Sequence, residues 1–236
     1  MQTILVLNSK GGCGKSTIAT NLASLFAGGG MNTALMDYDP QGSSLQWLEL
    51  RDSDRPAIHG IDASKTKTGL TRTWQTAVPQ GTERLVIDAP AGVCGQMLQE
   101  MVRRTDVIVV PVAPSSIDIH ATSDFMCDLL LIGKIRKFGI HACVVANRVR
   151  RESPLYEPLK RFLNSLNIPF VTSLADTDNY ISASETGVGI HEMDERETQL
   201  ERGQWRPLID WLADQIREPA RHGIRPTLKI VNAVRS

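Results

Sequence analysis

Little in this sequence gives a function away by composition. The 236 residues hold four cysteines, Cys13, Cys94, Cys127 and Cys143, widely separated along the chain. They form no C-x-x-C pair and no disulfide framework, which argues against a stapled secreted scaffold and suits a reducing cytoplasm. No basic, apolar, small-residue succession opens the chain, so no signal peptide is expected. The most apolar run, "VIVVPVAP" at 107–114, is too short to span a bilayer and contains prolines. Neither sign of charge is in excess, with 26 Lys and Arg against 26 Asp and Glu. No global field therefore advertises a nucleic acid or a membrane, and any such surface must be local. Internal repeats and low-complexity segments are also missing. What remains is an apolar share of 42%, ordinary for a globular chain, in a length that suits one large domain and would cramp two. We expect a single domain over 1–218 and a C-terminal tail over 219–236, packed on it or extending from it.

Hydrophobic patterning supplies the architecture. "TILVLN" (3–8) is a continuous apolar run, as in a strand buried on both faces of a parallel sheet. "STIATNLASLFA" (16–27) has helical period and is stopped by "GGG" (28–30). "TALMDYD" (33–39), "RLVIDAP" (84–90), "DVIVVPV" (106–112), "ACVVANRV" (142–149) and "IPFVTSL" (168–174) read as further strands. Residues 51–84 are polar, with a weak strand near 57–61 and a helix before 80. Helices are expected over roughly 117–137, over 154–167 and, closing the domain, over 206–218. Strands alternating with helices predict an α/β fold, a mostly parallel sheet flanked by helices.

"NSKGGCGKST" (8–17) lies between the first strand and the first helix. Glycines there let successive backbone N–H groups face inward, a concavity that fits phosphate. The helix N-terminus adds roughly half a positive charge. Lys15 would reach the terminal phosphates, and the Ser16 hydroxyl would coordinate Mg²⁺. The strict pattern G-x-x-x-x-G-K-[ST] wants glycine at position 9, where Ser9 stands, and a second lysine, Lys10, precedes Gly11 and Gly12. K-G-G-x-G-K-S-T resembles the deviant phosphate loop of the ParA/MinD family of ATPases, a P-loop NTPase fold. The resemblance runs from residue 2 to about 217 and is closest at 8–17, 36–44 and 84–92. It implies ATP and Mg²⁺ as ligands, with Lys10, Gly11, Gly12, Cys13, Gly14, Lys15, Ser16 and Thr17 around the nucleotide. It also implies that Lys10 crosses the interface of an ATP-bound homodimer to touch the partner's phosphates. A cation at the lip of such a loop can neutralise charge in a facing subunit.

Two acidic stretches follow. In "MDYDPQGSS" (36–44) the carboxylates lie at the C-terminal edge of a strand, where open α/β sheets bind ligands. The resemblance implies that Asp39 is the catalytic acid for the attacking water, beside Lys10 and Lys15, and that Asp37 supports the Mg²⁺ shell. Turn chemistry alone is the other reading of both. Asp88 ends the apolar strand of "LVIDAPAG" (85–92), the arrangement in which an acid holds Mg²⁺. Pro90 and Gly92 would belong to a segment that senses the γ-phosphate. Asn147 closes the fifth of the clear strands. The resemblance implies an adenine contact for it, and ordinary turn chemistry explains it equally.

The whole pattern resembles the small ParF-like branch of ParA proteins, with slow, partner-stimulated ATP hydrolysis. Such a protein would be cytoplasmic, and nucleoid-associated in its ATP state. No helix-turn-helix segment precedes the first strand, so operator-specific binding is not expected. Nonspecific double-stranded DNA is, through a basic cluster that includes Arg148, Arg150, Arg151, Lys160 and Arg161, with Arg217 and Arg221 in the C-terminal stretch. The stimulating partner would be a ParB-like protein or a cargo adaptor, and the cargo a plasmid or chromosome partition complex or a protein assembly such as a carboxysome. A MinD-like alternative would bind membrane through the C-terminal tail, whose Pro219, Gly223 and Pro226 leave only a small apolar face. An iron–sulfur ATPase would need two cysteine ligands per chain, and Cys94 has no convincing second. D-P-Q after the second strand argues against a small-molecule enzyme such as dethiobiotin synthetase.

Overall fold

The computed structural model describes residues 1–64, 77–131 and 133–217. Seven strands form one parallel sheet: β1 (Gln2–Val6), β2 (Thr33–Asp37), β3 (Ile58–Asp62), β4 (Arg84–Asp88), β5 (Val107–Val112), β6 (His141–Val149) and β7 (Phe170–Ala175). Their spatial order is β3-β2-β4-β1-β5-β6-β7. Among the described residues the helices are α1 (Lys15–Gly28), α2 (Ser43–Glu49), α3 (Gly95–Val102), α4 (Ser116–Leu131), α5 (Ile135–Phe138), α6 (Tyr156–Ser165), α7 (Asp178–Glu185) and α8 (Gln199–Arg217), with a 3₁₀ turn at Ile190–Glu192.

The continuous apolar strands are explained by cover on both faces. Successive residues point to opposite sides of a strand. Leu5, Met36, Leu85, Ile87 and Val110 face one core, with Leu98 of α3, Phe125 of α4 and Leu159 of α6. Ile4, Val6, Leu35, Val86 and Val109 face the other, with Ile18 and Leu22 of α1 and Trp205 and Leu208 of α8. β1 lies between β4 and β5, so the chain turns outward in both directions from it. That is the topological switch point, where a crevice opens at the strands' C-terminal ends.

The weak strand near 57–61 is a true edge strand, pairing in parallel with β2. The helix expected over 117–137 is interrupted: α4 stops at Leu131, and α5 starts after Lys134, which has a positive φ of 54°. The Gly133 N–H turns back to the Asp128 carbonyl, a bond one residue longer than the helical repeat. The closing helix starts at Gln199, seven residues before the expected 206. α2, α3 and α7 are absent from the sequence-based expectation. The helix expected before 80 and the tail over 219–236 lie outside the described residues. Among the described residues, no helix is long and apolar enough to cross a membrane.

Candidate functional site: a nucleotide pocket at the switch point

The crevice beyond β1 holds a cavity of about 440 Å³. Its floor is the glycine loop. Asn8, buried at the end of β1, donates from Nδ2 to the Pro111 carbonyl of β5 (2.7 Å) and accepts from the Lys10 N–H (3.1 Å). That pair anchors the loop's entry to the sheet. Gly14 begins α1 in the left-handed region, with φ 88°. A side chain there would overlap the amide of Asn147, which donates to the Cys13 carbonyl (2.9 Å). Glycine is therefore required at position 14 twice over, for its backbone and for its neighbour. Asn147 thereby braces the loop, a contact that the sequence reading did not foresee.

Gly11, Gly12, Gly14, Lys15, Ser16 and Thr17 all line the cavity. The Lys15 side chain is buried, and Nζ donates to the Lys10 carbonyl (3.1 Å). Cys13 turns its thiol to the same carbonyl (3.3 Å). Lys10 itself stands outside the cavity lining.

The two acidic strand ends meet here, because Asp37 and Asp88 are register partners on adjacent strands. Asp37 accepts from the Asp39 N–H (2.8 Å) through one oxygen and from the Ser44 N–H (3.0 Å) through the other. Burial raises its pKa above the usual range, and those backbone donors pull partly back. It ties the loop after β2 to the start of α2. Asp88 is fully buried. One oxygen accepts the Ser44 hydroxyl, while Oδ1 has no hydrogen-bond partner. Burial pushes its pKa up to about 6, against hydrogen bonds from Ser16 and Ser44. Asp37 raises it further, and Lys15 opposes. An unpartnered buried carboxylate oxygen beside a serine hydroxyl fits a hard divalent cation such as Mg²⁺. Asp88 and Ser16 would hold it. Asp37 has both oxygens engaged by backbone and would support them from behind.

Asp39 sits at the cavity wall, half-buried, its Oδ1 accepting from the Gln41 N–H (3.0 Å). Ala91 lines the same cavity, and Gly92 donates its N–H to the Ser9 carbonyl (2.8 Å), so the segment after β4 touches the phosphate loop. Sequence reasoning missed Ser44, whose place inside "DPQGSS" was the one available signal. It also missed the far wall of the cavity: Trp47 of α2, Tyr180 and Ser184 of α7, and Val188.

The basic residues divide. Arg148 lines the cavity while its side chain stays exposed, with a positive φ of 56° and Nη1 3.4 Å from the Gly12 carbonyl. Arg148 and Arg150 both pair with Asp176, at 3.6 and 2.8 Å. Arg151, Lys160 and Arg161 are exposed. Arg217 ends α8, and Arg221 lies outside the described residues.

Similarity to known proteins agrees with this geometry. The chain is 27% identical over 197 residues to the maintenance of carboxysome distribution protein A of Halothiobacillus neapolitanus, covering 82% of this chain and 88% of that one. Among solved structures, a Borrelia burgdorferi B31 protein described as a plasmid partition protein, bound to AMPPNP, superposes with a TM-score of 0.69 at 15% identity. That match spans 89% of this chain and 99% of the other. The septum site-determining protein MinD of Pyrococcus horikoshii, complexed with Mg-ADP, gives 0.66 at 16% identity, over 90% and 97%. These structural likenesses concern the fold. The model of the CobQ/CobB/MinD/ParA nucleotide-binding domain matches residues 4–190, from β1 through the phosphate loop to the far wall of the cavity. On that span, and with a phosphate loop and acidic strand ends built as described, the chain belongs to the ParA/MinD family of nucleotide-binding domains.

Proposed function

We propose that the protein is a ParA-type ATPase that dimerises on ATP, binds DNA without sequence preference and positions or segregates a cargo. The observation that carries this reading is the division of labour between two lysines. Lys15 lines the cavity beside Ser16 and acts electrostatically on Asp88, whereas Lys10, next to Gly11 in the same loop, does not line that cavity. A second lysine in the loop, outside its own cavity, would carry its charge toward phosphates held by a second copy facing the first. The resemblance of the loop to the deviant form, and the similarity to a carboxysome-distribution protein, support the same reading.

Within each subunit the backbone N–H groups of the glycine loop and the α1 N-terminus would cradle the phosphates. Mg²⁺, when bound, supplies charge neutralisation at the β- and γ-oxygens. Lys15 would leave the Lys10 carbonyl for phosphate. Asp39, at the cavity wall, would orient the attacking water. Hydrolysis is then mostly positioning, and a partner protein can accelerate it by settling the loop that carries Asp39. Unassisted turnover should be slow, on the order of 10⁻⁴ to 10⁻² s⁻¹, the scale of unassisted switch GTPases. Exposed Arg151, Lys160 and Arg161 would contribute to a phosphate-binding surface that dimerisation doubles.

The test traps the ATP state with Asp39→Ala. Cosedimentation is measured with random-sequence duplex DNA and with anionic liposomes, with ATP or ADP, at two salt concentrations. ATP-dependent, salt-sensitive pelleting with DNA is expected, and its loss when Lys10→Ala is added to the trap. Pelleting with liposomes alone would replace this reading with a MinD-like one, in which the tail is the functional surface. Pelleting with neither would remove DNA from the function.

A further inference from the structure

The far wall of the cavity is held by a buried ion pair that phosphate handling does not use. Arg51 follows α2, and Glu192 ends the 3₁₀ turn after α7. Their side chains are 4% and 10% exposed. Nη1 and Nη2 of Arg51 donate to the two Glu192 oxygens at 2.7 and 2.5 Å. Nη1 also donates to the Gly187 carbonyl (3.2 Å), and Nε and Nη2 to the Pro56 carbonyl (3.3 and 3.1 Å). All five guanidinium N–H groups thus have an acceptor, a complete use of the fork that lysine could not reproduce. Glu192 in turn accepts the Gly189 N–H (2.9 Å). Burial alone would raise its pKa, and the Arg51 hydrogen bonds and the Gly189 N–H more than offset this, leaving it below the usual carboxylate range.

The clasp joins two walls. On one side the Arg51 guanidinium stacks over Trp47, 5.6 Å from the ring centre. On the other, the Trp47 indole N–H donates to the Val188 carbonyl (3.2 Å). Gly187, at φ 65°, lies against the backbone of Leu50 and Arg51 with no room for a side chain. The Ile190 N–H docks on Asn21 of α1 (2.8 Å). α2 therefore binds the metal-side carboxylates through Ser44 at its first turn, and fixes segment 187–192 just past its last. The cavity runs along α1 from the phosphate loop past Thr20 and Asn21 to Trp47, Tyr180 and Val188. With the phosphates held by the loop, the aromatic and apolar far end is left for the nucleoside.

A buried ion pair is poor value as a source of stability, since apolar side chains of similar volume serve as well. Its strength is registration, because a bidentate pair accepts one geometry. We propose that Arg51 is a positioning residue for nucleotide recognition. By clasping Glu192 it keeps the Trp47 and Val188 walls in register, so that affinity for the nucleoside half of ATP depends on it and affinity for the triphosphate half does not. This rests on the nucleotide reading of the cavity given above.

The test is a pair of calorimetric titrations of the full chain, with Mg-ATP and with Mg-tripolyphosphate. They are run on wild type, Arg51→Ala, Arg51→Lys and Glu192→Gln, each checked by thermal unfolding. We expect Arg51→Ala to weaken ATP at least tenfold and tripolyphosphate less than twofold. Arg51→Lys and Glu192→Gln should shift ATP in the same direction by less. Equal weakening of both ligands in a folded variant would mean general loosening and would overturn the proposal, as would unchanged ATP affinity. If Arg51→Ala does not fold, Glu192→Gln, which preserves shape, decides by the same split. A wild type that binds neither ligand would overturn the nucleotide reading itself, before any variant is compared.

Discussion

Two carboxylates end neighbouring strands in exact register, and their surroundings set them to different work. Asp37, at the end of β2, has a backbone N–H on each oxygen. Asp88, at the end of β4, has serine hydroxyls as its hydrogen-bonding neighbours, and its Oδ1 is left without a hydrogen bond. Both are buried and both have raised pKa values, so neither burial nor titration separates them. The inventory of partners does. Asp37 is satisfied by the fold and completes a loop. Asp88 is left short by the fold, which leaves an acceptor open to a ligand.

Breaking the unsatisfied member should have the largest effect. Asp88→Asn removes a buried charge, so the nucleotide-free protein should melt at a higher temperature, while Mg²⁺-dependent ATP binding falls by roughly a hundredfold or more, on the scale of losing a charge-assisted buried contact. Calorimetric titration with and without Mg²⁺, beside a thermal melt, reads both changes. A lower melting temperature would mean that the carboxylate is paired after all.

The satisfied member should do the reverse. Asp37→Ala strands two backbone donors, each worth about 1–3 kcal/mol when left buried without an acceptor. Chemical denaturation should show that loss of stability with Mg²⁺ absent, where Asp88→Asn shows a gain.

Acidity offers a third route. The Asp88 carboxyl has a folded pKa of about 6 against an ordinary value of 3.8. The folded state therefore binds more protons than the unfolded state between those values. Its contribution to stability falls as pH rises through that window and returns on acidification. Asp37, also raised, acts with the same sign. Cation binding needs the charged form, so Mg²⁺-dependent ATP affinity should decline below about pH 6 while the nucleotide-free protein does not lose stability from this group. A pH series of paired melts and titrations checks the opposed slopes. Glu192 has the opposite sign, its pKa being lowered: its contribution is present at neutral pH and lost only as pH falls through the lowered value.

The smallest effect should come from Ser44→Ala. It removes the Ser44 hydroxyl from Asp88 and costs about 1 kcal/mol of stability. It should also move the pH midpoint for Mg²⁺-dependent binding upward, because a hydrogen bond favouring the charged form is gone.

The near end of the cavity was legible in the sequence and the far end was not, for a physical reason. Phosphate recognition uses contiguous residues: glycines, a lysine and a serine at fixed spacing between a strand and a helix. β1, β2, β4 and β5 were readable as well, because strands covered on both faces read as unbroken apolar runs. The far end is held together by Trp47, Arg51, Val188 and Glu192, about 140 positions apart in pairs, with no local signature. α8 escaped at its start because Pro207, one residue after the expected boundary, reads as a helix beginning; in the structure it lies inside the helix. Arg148 was read for its charge alone, and its positive φ, which carries it to the phosphate loop, leaves no mark on sequence pattern.

The bond from the Lys15 ammonium to the Lys10 carbonyl has a consequence for the timing of entropy loss. A long side chain that waits extended in water must surrender its rotamers when a ligand arrives. Here that surrender is made during folding, and an arriving phosphate would exchange one acceptor for another on an ammonium already in place. The loop would meet a phosphate preorganised, leaving more of the interaction energy to favour binding.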